Sequence, residues 1–243
     1  EFKFLKMTSV TIVIPFYNEE NNLPVLFNEL NEALSKNQNN IQTNVIFVND
    51  NSEDNGAYFI KDKIKNISNF ELINLSKRSG QTGAFKAAFE GCDSDYILRM
   101  DSDLQDSPKD LNLFFEKIVN EEPDIIMGVR QERQHNVMLR LSSSLYDLLV
   151  KTLYNTPLYT NSGSFVAFKS KFVQNLPWKK NDHRYLPLIV IQRGGIKVAE
   201  VKVNHRERKH GSTNYPKFQK ILLGPFEVIK FIQRLRRGDY NLS

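Results

Sequence analysis

The feature that most constrains this chain is a regular alternation, through its first half, of short apolar runs with longer amphipathic ones. Val10-Thr11-Ile12-Val13-Ile14-Pro15, Val45-Ile46-Phe47-Val48, Phe70-Glu71-Leu72-Ile73-Asn74-Leu75, Tyr96-Ile97-Leu98 and Ile125-Ile126-Met127-Gly128 are β-branched or aromatic runs of strand length. Between them, apolar residues recur at helical spacing over residues 23–36, 55–65, 82–91 and 108–121. In the first of these Leu23, Leu26, Phe27, Leu30 and Leu34 share a face, and Pro24 is tolerated in the first turn. Four β-α units and a fifth strand predict an α/β fold with a mostly parallel sheet and helices on both faces. The connections at residues 15–20, 49–54, 76–81 and 101–106 then fall on one edge of the sheet, beyond the carboxyl ends of the strands, where open α/β sheets bind ligands.

The richest of these loops is Asp101-Ser102-Asp103-Leu104-Gln105-Asp106. Asp101 and Asp103, two apart in a turn, can reach one side of it. Mg²⁺ is usually held by one or two carboxylates together with substrate phosphates, so Asp-x-Asp suits a clamp on a metal–diphosphate. Asp and Ser are also ordinary turn and cap residues, and the spacing alone leaves both readings open. There is no G-x-G-x-x-G and no G-x-x-x-x-G-K-[ST], which argues against a dinucleotide fold or a P-loop NTPase.

After Val129 the alternation stops. Residues 137–153 carry a helical stripe of Leu141, Leu145, Leu148, Leu149 and Leu153, with Arg140 and Ser144 four apart on one face. Residues 163–168 predict a strand, 185–192 a helix, and 196–203 a strand exposed on one face. Residues 217–237 predict an amphipathic helix broken near Gly224-Pro225. The net charge is +5, yet residues 197–237 hold 11 Lys or Arg against 3 Asp or Glu, so the remainder is at −3. An apolar face flanked by cations fits either a membrane interface or packing on the core. An anionic partner for this segment is implied, but without interleaved aromatic residues nucleic acid is disfavoured. Cys92, the single cysteine, excludes an internal disulfide or a cysteine zinc site and makes a reducing compartment the default. No apolar run reaches 18 residues, and the first residues lack a secretory h-region. His135, His183, His205 and His210 have no metal-ligand spacing and read as surface or loop residues. Trp178 is equally an interfacial anchor or a core residue.

Taken together, Thr11-Ile12-Val13-Ile14-Pro15-Phe16-Tyr17-Asn18-Glu19-Glu20, Val48-Asn49-Asp50-Asn51-Ser52 and Asp101-Ser102-Asp103-Leu104-Gln105-Asp106 resemble the inverting GT-A glycosyltransferases of family 2. The segment from Arg206 to Tyr215 resembles the Arg-x-x-Gly-x-Ser-x-Tyr segment of the polyprenyl-phosphate glycosyltransferases, the branch similar to dolichyl-phosphate mannose synthase. The resemblance spans roughly residues 9–216. Two segments depart from it. The third loop usually begins with Asn and here reads Ser76-Lys77-Arg78-Ser79-Gly80-Gln81. The Asp-x-Thr-Ser-Gly-Phe-Arg segment stands as Tyr159-Thr160-Asn161-Ser162-Gly163-Ser164-Phe165, without its Asp and Arg.

The resemblance implies a Rossmann-like GT-A domain over residues 1–213. Its nucleotide-sugar half is about 8–130 and its acceptor half about 131–213; a basic amphipathic interfacial segment follows at 214–243. It implies transfer of a hexose from a UDP- or GDP-linked sugar to a polyprenyl phosphate, with Mg²⁺ or Mn²⁺. The protein would work at the cytoplasmic face of a membrane, peripheral or anchored by helices outside this chain. Pro15, Tyr17, Glu19, Asp50, Gln81, Asp101 and Ser102 would bind the nucleotide sugar, and Asp101, Asp103 and Gln105 the metal. Asp103 and Arg206 would be catalytic. Arg130, Arg140, Ser144, Arg208 and Ser212 would hold the acceptor phosphate. A phosphate monoester is ionised at neutral pH, its second pKa being about 6, so it needs cations and no base. A glycan hydroxyl in capsule or lipopolysaccharide synthesis would need a base. Asp106 is the candidate for that base; its other expected role is to cap the helix at Pro108. A nucleotide-binding regulator without catalysis is the third reading.

Overall fold

The computed structural model describes residues 7–37, 39–130, 164–206 and 217–242, with the side chains of 217–226 left aside. The described strands are β1 (Ser9–Phe16), β2 (Gln42–Asn49), β3 (Phe70–Asn74), β4 (Tyr96–Arg99), β5 (Ile125–Arg130), β6 (Val166–Lys169) and β7 (Val198–Val203). The described helices are α1 (Leu23–Ser35), α2 (Gly56–Lys63), α3 (Gly80–Phe89), α4 (Leu111–Glu121), α5 (Leu186–Gln192) and α6 (Lys217–Arg236). The strands form one seven-stranded sheet in the order β3-β2-β1-β4-β6-β5-β7. All pairs are parallel except those of β6, which runs antiparallel to β4 and β5.

Alternation along β1 shows how the sheet is covered. Val10, Ile12 and Ile14 point into a core with Leu26, Phe27 and Leu30 of α1, Ile60 of α2, and Phe114, Phe115 and Ile118 of α4. Val13 faces the opposite core, built from Phe85 and Phe89 of α3, Ile189 and Val190 of α5, and Phe231 and Leu235 of α6. Both faces of a parallel sheet need such cover, which is why its strands are apolar on both sides. Trp178 packs edge-on against Phe89 at 5.5 Å between centroids, on the margin of this second core. Gly128 is required by close approach: a Cβ there would lie 2.8 Å from the Phe165 carbonyl oxygen of β6's entry.

Several expectations shift. The helix expected at 108–121 begins as a 3₁₀ turn, Pro108–Asp110, before α4. Ser107, not Asp106, occupies its N-cap position, and no side chain caps it, so the expected capping role of Asp106 is not seen. The helix expected to break near Gly224-Pro225 runs through both as part of α6; Pro225 costs one internal hydrogen bond without ending the helix. Strand β7 alternates as expected, with Ala199, Val201 and Val203 buried. The leucine-rich stretch at 137–153 lies outside the described residues.

Candidate active site

Four loops meet at the carboxyl edge, and each contains a residue in the left-handed region: Asn18, Asn51, Gly80 and Leu104. Asn and Gly adopt it at little cost, whereas Leu104, at φ 64°, does not. Its side chain is buried in the first core, and that packing holds the strained backbone of the Asp-x-Asp loop.

The third loop joins the others. The Arg78 guanidinium lies over the Tyr17 ring, 3.8 Å from its centroid. The Ser79 and Gly80 amides donate to the two carboxylate oxygens of Asp50 at 2.6 and 2.8 Å, an anion set at the start of α3. Gln81 Nε2 then donates to Asp101 Oδ1 at 3.3 Å. Four consecutive residues thus connect Tyr17 of the first loop, Asp50 of the second and Asp101 of the fourth. Gly80, at φ 69°, makes the turn possible.

Asp101 sits in a crowded electrostatic field. Burial pushes its carboxyl up to about 7; Arg99 opposes this, Asp106 and Asp103 add to it, and Arg130 opposes it again. Asp106 is raised too, chiefly by burial, against a 2.8 Å hydrogen bond from Ser164 Oγ and the charge of Arg130. Asp103 Oδ1 accepts from the Gln105 amide at 3.2 Å. Ser102 and Pro15 are buried, and Glu19 accepts a hydrogen bond from Asn22 Nδ2.

The pair of carboxylates fits a divalent cation. The Asp101 carboxyl, raised chiefly by burial and further by Asp106 and Asp103, marks a place where added positive charge is favourable. Among the described residues no group of three or more His, Cys, Asp or Glu could hold a metal alone. That donor set matches Mg²⁺ or Mn²⁺ bound jointly by protein carboxylates and a substrate diphosphate.

Sequence reasoning missed three contributors. Arg99, at the end of β4, is buried, and donates through Nε to the Ser164 carbonyl at 3.0 Å and through Nη1 to the His183 carbonyl. Nothing in a four-residue strand marks one arginine as buried. His183, expected to be a surface or loop residue, is buried; its Nδ1 meets Thr82 Oγ1 at 2.7 Å, and burial holds its pKa down to about 3. His205, also expected to be a surface or loop residue, forms an isolated bridge with Asp106, and its Nδ1 lies 4.0 Å from Asp106 Oδ1. Arg206 hydrogen bonds to Glu29 and Ser107. Arg130 ends β5 within electrostatic reach of Asp101 and Asp106. Arg140, Ser144, Arg208 and Ser212 lie outside the described residues.

Residues 11–185 match the glycosyl transferase family 2 domain. The chain belongs to that family. The family 2 chain is 29% identical over 216 residues to an undecaprenyl-phosphate 4-deoxy-4-formamido-L-arabinose transferase of Pseudomonas fluorescens strain SBW25, covering 88% of this chain and 62% of that protein. A protein of the same description from strain Pf0-1 is 27% identical over 210 residues, covering 85% and 60%. The chain thus spans about three fifths of the length of the curated relatives it matches. Its fold is GT-A. It superposes on glucosyl-3-phosphoglycerate synthase from Mycobacterium tuberculosis, crystallised with Mn²⁺ and UDP-glucose, with a TM-score of 0.70, covering 94% of this chain and 79% of the other at 14% identity. Among the described residues no helix is long and apolar enough to cross a membrane.

Proposed function

We propose that this family 2 protein transfers a hexose from a UDP- or GDP-linked sugar to the phosphate of a polyprenyl phosphate, at the cytoplasmic face of a membrane and with inversion at the anomeric carbon. The observation that carries this reading is the 78–81 loop, which ties Tyr17, Asp50 and Asp101 into one crevice. The names of the relatives support the lipid phosphate as acceptor.

In this reading Pro15, Tyr17, Glu19 and Asp50 shape the nucleoside pocket, Ser102 supports the loop beneath the diphosphate, and Gln81 fixes the Asp101 carboxyl. Asp101, Asp103 and Gln105 would hold Mg²⁺ or Mn²⁺, which when bound would supply charge neutralisation for the departing diphosphate. An acceptor phosphate oxygen forms the new bond to the anomeric carbon as the sugar–diphosphate bond breaks and its electron pair leaves with the nucleoside diphosphate. No proton has to be removed from the acceptor. Arg130, Arg140, Ser144, Arg208 and Ser212 hold that phosphate from the 131–213 half. Arg206 orients the Asp-x-Asp loop through Ser107, and the 214–243 segment lies on the lipid surface. Asp106, 2% exposed and bonded to Ser164, is poorly placed to serve a glycan hydroxyl as base.

The test is transfer of labelled sugar from a panel of UDP- and GDP-hexoses to a short polyprenyl phosphate, with Mg²⁺, with Mn²⁺ and with chelator. A lipid-linked sugar formed only with the cation is expected. Transfer to glycan hydroxyls alone, or nucleotide binding without turnover, would overturn the proposal.

A further inference from the structure

A second charged concavity lies between α6 and the turn that precedes α5. It encloses about 420 Å³ and is lined by Lys180, Asn181 and Tyr185 on one side and by Glu227, Lys230 and Arg234 of α6, with Gln233 and Arg237, on the other. Lys230 and Arg234, four apart on α6, and Arg237, just past its end, line the same side of the groove. Glu227 is the only acid among the described lining residues, and it is already engaged, accepting from Asn181 Nδ2 at 2.8 Å and pairing with Arg184 at 3.3 Å. Arg234 is committed to buried Asp182 at 2.9 Å, which also accepts from Tyr240 Oη. Lys180, Lys230 and Arg237 are exposed, and among the described residues none pairs with a carboxylate. The lining therefore carries three unpaired cations, with Arg234 and Glu227 each already paired. Ile229, 51% exposed, precedes Lys230 on α6 and is not among the lining residues. A hollow that presents unpaired cations and no free anion matches a phosphate headgroup at an anionic lipid surface.

We propose that this groove binds the phosphate headgroup of an anionic membrane phospholipid, separately from the acceptor phosphate. The site deepens the membrane-surface part of the proposed function and rests on it. The groove's walls also reach inward. The turn that supplies Lys180 and Asn181 continues into Asp182, clamped to α6, and then into His183, whose carbonyl receives Arg99 and whose ring meets Thr82. A headgroup seated here therefore braces the segment that abuts the Asp-x-Asp strand.

The experiment is flotation of the purified chain with vesicles of phosphatidylcholine alone or with 30% phosphatidylglycerol at low salt, for wild type and for K180Q/K230Q/R237Q. Each cation near an anionic surface contributes roughly a fivefold increase in binding, so the triple variant is expected to bind phosphatidylglycerol vesicles about a hundredfold more weakly. A loss of tenfold or more supports the site; a smaller loss, or equal binding of wild type to both vesicle types, overturns it. Inorganic phosphate, added at constant ionic strength, separates a lipid site from a small-anion site: displacement from the vesicles by millimolar phosphate overturns the lipid assignment. Turnover with a short acceptor in detergent is measured in parallel. It should stay within twofold in the triple variant, which also reports that the exposed substitutions leave the fold intact. Absence of turnover in wild type would count against the proposed function and leave the vesicle result to stand by itself.

Discussion

Arg206 and Glu29, 177 residues apart, are joined by two hydrogen bonds from one guanidinium nitrogen, at 2.8 and 2.9 Å. The other terminal nitrogen reaches Ser107 Oγ at 2.8 Å, and the Arg206 amide donates to the Gln105 carbonyl at 2.9 Å. The arginine thus fastens the end of the Asp-x-Asp loop to α1. Both partners are partly exposed, so the coupling in a double-mutant cycle of Glu29→Ala and Arg206→Ala should be about 1 kcal/mol. If the arginine acts by holding the loop, Glu29→Ala lowers kcat in the same direction as Arg206→Ala. Unchanged kcat in Glu29→Ala, with loss confined to Arg206→Ala, would show that the guanidinium acts on substrate instead.

Asp103→Ala should abolish cation-dependent binding of a nucleoside diphosphate and lower turnover at least about a hundredfold, the scale on which transition-state charge is stabilised. Asp103 lies on a partly exposed turn, so its melting temperature should change little. Calorimetric titration of UDP and GDP with and without Mn²⁺ measures the first effect.

The Asp101 carboxyl, raised to about 7, must lose its proton to hold a cation. Cation-dependent nucleotide affinity should therefore rise as pH increases toward 7 and level off above it. Titrations at pH 5.5, 6.5 and 7.5 read this directly, and a flat profile would rule out a proton on Asp101.

His183 gives a stability signal of opposite sign. Its pKa falls from 6.5 when unfolded to about 3 when folded, because burial disfavours the cation and Arg99 and Arg184 repel it. The unfolded chain therefore binds the proton first: the stabilisation is full above about 6.5 and is lost as pH falls toward 3. At pH 5 the loss is about 2 kcal/mol relative to pH 7. Asp101 works the other way, since its folded carboxyl keeps a proton that the unfolded one has lost between about 3.8 and 7. Urea unfolding at pH 5 and 7 in an Asp101→Asn background removes one opposing carboxylate, and adding His183→Asn should lower the dependence of stability on pH between these values by about 2 kcal/mol.

Arg130→Ala should raise the KM for polyprenyl phosphate about tenfold or more while leaving the KM for the nucleotide sugar within twofold. A charge-assisted contact to phosphate contributes roughly 1.5–3 kcal/mol. Equal losses for both substrates would place Arg130 with the Asp101 carboxyl rather than with the acceptor.

Local chemistry made much of this protein legible in the sequence. The period of the apolar residues determined five strands and four helices, and with them a parallel sheet whose loops crowd one edge. Asp101 and Asp103 were recognisable because two carboxylates in a turn are a local pattern. The antiparallel insertion of β6 between β4 and β5 was not, because strand order is a choice among distant pairings that a strand's own residues do not encode. The same holds for Arg99, His183 and Arg206. Their roles come from burial and from partners 84, 101 and 177 residues away. Sequence alone decided which residue types could do the chemistry; the packed structure decided which of them are held without water, and in a low-dielectric interior that difference sets their charge.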